Sequence, residues 1–122
     1  MYKLDPNRIV MTEGNSAVID ITPLDEESGD PIKLQNGDKI LFTIKTNLGK
    51  TKLQKVLTNE NYDGEEDTSI DCVINPEETL GWSAGEYLYD CVLITYDNQV
   101  FTFISSTLHI DTAYGKFTDL EG

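Results

Sequence analysis

Short segments of alternating apolar and polar residues, separated by turn signals, recur along this chain of 122 residues. The segment 69–75 shows the alternation most clearly, because Ile70, Cys72 and Ile74 fall on one face of an extended strand. Further segments rich in β-branched and aromatic residues cover 16–22, 39–46, 51–57, 85–95 and 100–110. The pattern predicts about seven strands and an all-β fold.

One short helical turn interrupts the strands near residues 76–81. Pro76 suits the first position of a helix, and the acidic Glu77 and Glu78 suit its positive N-terminal end. Gly81 can end the turn, because glycine tolerates the left-handed conformation that often follows a helix.

Strands at such short intervals favour two packed antiparallel sheets, a β-sandwich, over the alternative of a closed barrel. The hydrophobic fraction of 39% is sufficient for a core. The length fits a single domain, since most domains have roughly 100–150 residues. We expect residues 1–110 to form that domain and residues 111–122, which lack a sustained pattern, to form a flexible C-terminal tail.

The charge balance is strongly acidic. The chain carries 9 Lys and Arg against 22 Asp and Glu, a formal net charge of -13. Such a chain is repelled by a phosphate backbone and by an anionic membrane surface, so we expect neither nucleic-acid nor membrane partners. The first residues lack the pattern of a signal peptide, and no apolar run approaches the about 20 residues that span a bilayer. The expected compartment is therefore the cytosol.

Cys72 and Cys91 are the only cysteines, and there is one histidine. Without a C-x-x-C pair, a zinc site has too few soft ligands. We expect both cysteines to be buried thiols that behave as small hydrophobic residues. A disulfide stays open as an alternative if their strands face each other.

The stretch 80–91 holds the most specific pattern in the chain. Leu80 ends the helical turn, Gly85 opens the next strand, and Tyr87 and Tyr89 follow on one face. In immunoglobulin-like sandwiches, a tyrosine near the start of such a strand folds over the corner and bonds its hydroxyl to upstream main chain. Tyr87 or Tyr89 is expected to fill this role, which makes the predicted sandwich immunoglobulin-like.

The strand 85–95 is predicted to be apolar on both faces. A strand with one face in solvent should instead carry polar residues on that face. The faces are Tyr87, Tyr89, Cys91 and Leu93 on one side and Leu88, Val92 and Ile94 on the other. The next strand also carries apolar residues on both faces. We therefore expect either a protein partner or the terminal segments of this chain to cover the outer side. The candidate interface is Leu88, Val92, Ile94, Phe101 and Phe103.

The chain shows no pattern typical of an enzyme or of a cofactor site. His109 alternates with apolar neighbours, and no nucleophile with an orienting acid is placed beside it. The acidic loops 25–30 and 63–67 lack the spacing of an EF-hand, so solvated loops are favoured over calcium sites. Trp82 is expected to lie over the corner, with stacking on a sugar ring as the alternative.

Several of these segments resemble a family of small immunoglobulin-like proteins of phages and prophages of Gram-positive bacteria. The residues that carry the resemblance are a Gly-Asp turn before a Phe-Thr-Ile-Lys strand in 37–45, the turn and Tyr-containing strand in 76–90, and the strand at 100–103. Glu78 stands where that family usually has aspartate, and Cys91 stands where isoleucine is common. The family is similar to the immunoglobulin-like domain of phage upper baseplate proteins.

The resemblance implies a non-enzymatic structural or assembly protein of the virion tail or baseplate, with no catalytic residues and no cofactor. The implied partners are other virion proteins and a second copy of this chain. The implied location is the bacterial host cytoplasm and then the virion. The alternative is a carbohydrate- or calcium-binding β-sandwich module.

Overall fold

A computed structural model of the chain describes residues 7–25, 27–62, 64 and 68–112. The strands are β1 (Ile9–Thr12), β2 (Ala17–Ile21), β3 (Lys39–Thr46), β4 (Thr51–Thr58), β5 (Ile70–Ile74), β6 (Gly85–Ile94) and β7 (Val100–Asp111). A helical turn, α1, covers Pro76–Thr79, and a 3-10 turn covers Asn59–Asn61. The predicted all-β fold with seven strands is confirmed, and so is the helical turn, although α1 ends two residues before Gly81.

The strands form two sheets. The larger has five strands in the order β1-β7-β6-β3-β4, and the smaller pairs β2 with β5. Within the described residues no strand pairing joins the two sheets, so the structure is a sandwich and not the closed barrel that was its alternative.

One strand pair departs from the predicted antiparallel arrangement. β1 pairs with β7 in parallel, with Ile9 opposite Leu108 and Thr12 opposite Asp111. The remaining pairs are antiparallel. β1 is not among the segments predicted from the sequence, because its four residues are too few to show a reliable period. Its pairing partner lies about a hundred residues along the chain, which no local pattern can indicate.

The core lies between the inner faces of the two sheets. Ile40, Phe42 and Ile44 of β3 are fully buried, and the ring of Phe42 lies 5.5 Å from the ring of Tyr89. From the smaller sheet, Ile70 and Ile74 reach the same core. Burial of side chains from both layers supplies the main stabilising free energy of such a fold.

The two cysteines are free thiols with fully buried side chains. Cys72 belongs to β5 and Cys91 to β6, so they come from different sheets. Burial raises the pKa of Cys72 to about 11 and that of Cys91 to about 12. They are therefore neutral hydrophobic residues at physiological pH, as the sequence predicted.

β7 continues to Asp111, one residue past the predicted end of the strand. Residues 113–122 of the predicted tail lie outside the described residues. Among the residues that the structure describes, no helix has the length and apolar character needed to cross a membrane.

Candidate protein-interaction site

β6 is apolar on both faces, as its sequence predicted. Four alternate side chains turn inward and are at most 7% exposed, namely Tyr87, Tyr89, Cys91 and Leu93. The intervening side chains Leu88, Val92 and Ile94 lie on the outer face of the five-stranded sheet, where Leu88 is 45% exposed. Asp90 separates Leu88 from the other two.

Strand register assembles an apolar surface around Val92 and Ile94. Leu41 of β3 lies opposite both Val92 of β6 and Val56 of β4. Ile94 lies opposite Val100 of β7 in the next row. Directly opposed residues share a face, so these side chains form one cluster. We call it the outer apolar patch: Leu41, Val56, Val92, Ile94 and Val100.

The outer apolar patch is exposed at its margins and half-buried at its centre. Val56 is 55% exposed and Val100 is 63% exposed, while Leu41, Val92 and Ile94 are half-buried between them. Contiguous exposed apolar residues on a soluble domain are typical of an interaction surface. Leu41, Val56 and Val100 were not among the predicted interface residues, because only the pairing of the strands brings them beside Val92.

The structure does not bring Phe101 and Phe103 to this patch. Phe101 lies opposite Leu93, whose side chain turns inward. The register of β6 and β7 shifts between Cys91 and Val92, and Phe103 packs against the core there. The extra residue in β7 changes which face the residues beyond the bulge occupy. The predicted interface residues therefore divide between the two sides of the sheet: Leu88, Val92 and Ile94 lie on the outer side, and Phe101 and Phe103 on the inner side.

Phe101 and Phe103 instead line a separate cleft of about 510 Å³ beside the loop that follows β2. We call it the Phe cleft. Its other apolar lining residues are Pro23, Leu24, Ile32 and Leu93. Phe101 is 50% exposed and Leu24 is 51% exposed, so the mouth of the cleft is open to solvent.

The predicted corner is built around Tyr87. Its hydroxyl donates a hydrogen bond of 2.8 Å to the carbonyl of Ser83, four residues upstream. Tyr89 is equally buried, but its hydroxyl donates to the carbonyl of Asn7 instead and so holds the segment before β1. Leu80 is half-buried at the end of the turn. Gly85 has a φ of 139°, which favours glycine at the start of β6.

Trp82 lies over this corner and is half-buried. Its ring centroid is 5.4 Å from that of Tyr87, and the Lys52 ammonium lies 5.3 Å from the indole centroid. An open cleft of about 460 Å³ adjoins the ring. A sugar that stacked here would compete with Lys52 for the aromatic face.

His109 sits between two carboxylates on the outer face. Its Nδ1 is 2.8 Å from Glu86 and its Nε2 is 2.9 Å from Asp111. Arg8 also donates to Glu86 at 2.6 Å, and this hydrogen bond holds the pKa of Glu86 below its usual value. Both ring nitrogens are thus engaged with acids, and the arrangement ties the segment before β1 to β6 and β7.

The acidic loops show turn geometry where they are described. Asp25 Oδ1 accepts hydrogen bonds from the N–H groups of Glu27 and Ser28, at 2.9 Å and 3.1 Å. The main-chain bond from Ser28 is the main cause that lowers the pKa of Asp25. The second loop, 63–67, lies outside the described residues except for Gly64. In the described parts of the chain, no three His, Cys, Asp or Glu side chains gather as a metal site.

Comparison of the sequence with models of protein families finds no match. A search of curated proteins likewise returns no match.

Proposed function

We propose that this chain is a non-enzymatic structural or assembly protein that binds other proteins through the outer apolar patch. The observation that carries the proposal is the row of apolar side chains across β4, β3 and β6, continued by Ile94 and Val100. A monomer gains nothing from exposing these side chains to water. Covering them with a partner surface stabilises the complex by about 25 cal/mol for each Å² of apolar area removed from water.

An immunoglobulin-like topology is part of this proposal. β3, β6 and β7 lie together in one sheet and face the β2–β5 pair, which corresponds to the separation of the C, F and G strands from the B and E strands in that class. The bond from Tyr87 to Ser83 has the form of a tyrosine corner. Domains of this class commonly act in adhesion and assembly, but fold alone does not assign function.

The virion assignment draws on the sequence resemblance. The strand at 37–45 and the turn and strand at 76–90 resemble immunoglobulin-like proteins of phages and prophages. In this proposal the chain joins other proteins of a tail or baseplate, or a second copy of itself, and needs neither catalytic residues nor a cofactor. The host cytoplasm and then the virion are its proposed locations.

The proposal is tested by incorporation into phage particles. The tagged chain is produced in the organism that encodes it, particles are induced and purified, and the chain is sought in them by mass spectrometry. A double variant, Val56→Lys with Val100→Lys, should abolish incorporation, because two ammonium groups would have to be buried. Val18→Lys is a matched control, since Val18 is 62% exposed on the outer face of the smaller sheet.

Circular dichroism and thermal unfolding establish that each variant is folded. Absence of the unmodified chain from the particles would contradict the virion assignment. Equal incorporation of the double variant would contradict the role of the outer apolar patch. Light scattering of the unmodified chain, with the double variant beside it, tests self-association through the same surface.

The open cleft beside Trp82 supports one alternative function, a carbohydrate-binding module. A glycan array distinguishes the two proposals. Binding that is lost in Trp82→Ala and retained in the Val56→Lys and Val100→Lys double variant would favour the carbohydrate-binding module.

A further inference from the structure

A long part of β7 has an open edge. β7 runs over the twelve residues Val100–Asp111, but β1 pairs only with Leu108–Asp111. Among the described residues, no strand pairs with the stretch 100–105 on the side away from β6. An unpaired edge offers main-chain donors and acceptors to another extended chain.

The hydrogen-bond pattern identifies the main-chain groups that face this edge. The N–H of Thr95 donates to the carbonyl of Gln99 at 2.9 Å and closes the β6–β7 hairpin. Bonded and non-bonded pairs alternate along an antiparallel ladder. The pairs of Val100 with Ile94 and of Thr102 with Val92 are therefore non-bonded. The N–H and carbonyl groups of Val100 and Thr102 consequently point away from β6.

The same stretch of β7 borders the Phe cleft. Phe101 and Phe103 supply part of its apolar lining, together with Leu24 from the opposite loop. A strand added to the open edge would place alternate side chains on the inner side of the sheet, where the cleft begins. When a peptide adds a strand to a sheet, main-chain hydrogen bonds at the edge give affinity, and a pocket for a side chain gives specificity. This part of β7 offers both features.

The negative charge around the cleft favours a bound peptide that carries basic residues. Asp25 and Glu27 are exposed lining residues, while the buried carboxylate of Asp38 is engaged by the N–H groups of Gln35 and Tyr96. No Lys, Arg or His is among the described residues that line the cleft. The net charge of -13 adds a general attraction for cationic segments.

We propose that the open edge at Val100–Thr102 and the Phe cleft bind an extended segment of a partner protein, which adds a strand to β7, places a large apolar side chain in the cleft and carries Lys or Arg beside that anchor. This site adjoins the outer apolar patch at Val100, but its Phe cleft lies on the inner side of the sheet, where Phe101 pairs with Leu93. It goes beyond the proposed function, because peptide binding at this edge does not depend on virion assembly.

The test uses a displayed library of random octapeptides against the unmodified chain. The expected result is enrichment of sequences with one large apolar residue next to Lys or Arg. Thr102→Pro removes an edge N–H at a position where proline is tolerated, and should weaken the enriched peptides by about tenfold, the equivalent of ~1.4 kcal/mol. Replacement of both rim acids, Asp25→Asn with Glu27→Gln, should weaken cationic peptides at low salt and leave neutral ones unchanged. Val18→Lys should bind like the unmodified chain.

Hydrogen exchange provides a measurement that needs no variant. The amides of Val100 and Thr102 should exchange quickly in the free protein and become protected when an enriched peptide is added. Failure to enrich any sequence, or equal binding by Thr102→Pro, would overturn the proposal. Protection of these amides in the free protein would also overturn it, because the edge would already be paired within the chain or with a second copy. Val56→Lys alone, which changes the outer apolar patch on β4 and leaves β7 unaltered, should bind the peptides normally, so failure of peptide binding is distinguishable from failure of the proposed function.

Discussion

The hydroxyl of Thr79 accepts a hydrogen bond of 2.9 Å from the N–H of Gly14, a residue 65 positions earlier in the chain. Thr79 is fully buried at the end of α1, and Gly14 lies in the turn between β1 and β2. The neighbouring Glu13 carboxylate accepts from the N–H of Gly81 at 2.9 Å. These two bonds fasten the turn between β1 and β2 to the turn that precedes Tyr87.

Thr79→Val should destabilise the protein, because it leaves the buried N–H of Gly14 without its acceptor. The expected loss in free energy of unfolding is about 1–3 kcal/mol. Urea denaturation followed by tryptophan fluorescence measures it. Thr79→Ser keeps the hydroxyl and should retain more stability than Thr79→Val. Equal stability of these two variants would show that the bond contributes nothing.

Tyr87→Phe should remove the corner hydrogen bond to Ser83 while the ring keeps its packing against Trp82. The expected cost is about 1 kcal/mol of unfolding free energy, the net value of a typical hydrogen bond. The shift in urea midpoint at an unchanged slope measures this cost. An unchanged midpoint would remove the corner role from Tyr87. Tyr89→Phe is the companion variant, since its hydroxyl bonds the segment before β1 instead.

Glu78 should contribute stability that depends on pH. Burial opposes its ionisation, but hydrogen bonds from Lys55 and from the N–H of Asn75 outweigh that effect and hold the pKa of Glu78 below its usual 4.5. A lowered folded-state pKa means that the stabilisation is present above about pH 4.5 and is lost as the pH falls through the folded value.

Glu78→Gln should therefore lower the free energy of unfolding by about 1 kcal/mol at neutral pH and by less near pH 3. Urea titrations at both pH values measure the difference. Glu77→Gln, at the exposed position beside it in α1, is the control and should change stability by less than about 0.5 kcal/mol. A difference that stays constant with pH would exclude the ionised carboxylate as the cause.

The buried thiols predict a loss of stability at alkaline pH. The pKa values of Cys72 and Cys91 are raised to about 11 and about 12, from 9.0, mainly by burial. The unfolded chain therefore loses these protons first, and the stabilisation that is complete below pH 9 declines as the pH rises toward 11 and 12. A double Cys→Ala variant should show a flatter decline over that range.

Thiol labelling supplies an independent readout of the same burial. At pH 8 neither cysteine should react with a thiol reagent in the native protein, and both should react in urea, because the reactive species is the exposed thiolate. Rapid labelling of the native protein would contradict the burial of the pair.

The local sequence pattern was sufficient to predict much of the fold. The alternation in 69–75 and 85–95 identified β5 and β6, and Pro76 with two acids identified α1. The corner could be anticipated because its bond joins residues only four apart, Ser83 and Tyr87. The inward and outward faces of β6 could also be read, since side-chain direction alternates along any strand.

The candidate interaction site could be predicted only in part. Val92 and Ile94 were found from their own strand, whereas Val56 and Val100 join them through pairing with other strands. Phe101 was expected beside them, but the register shift near Val92 turns it toward the Phe cleft. A bulge is a property of two paired strands, and neither strand's sequence alone specifies it.

The amino-acid sequence by itself determined the strands β2–β7, the helical turn, the burial of the thiols and the acidic surface, because each depends on residues that are near in the chain or on composition. The tertiary structure decided the parallel position of β1, the division of the apolar residues between the outer apolar patch and the Phe cleft, and the bond between Thr79 and Gly14. Those features arise where distant segments meet, and the free energy of such contacts depends on a register that local sequence does not specify.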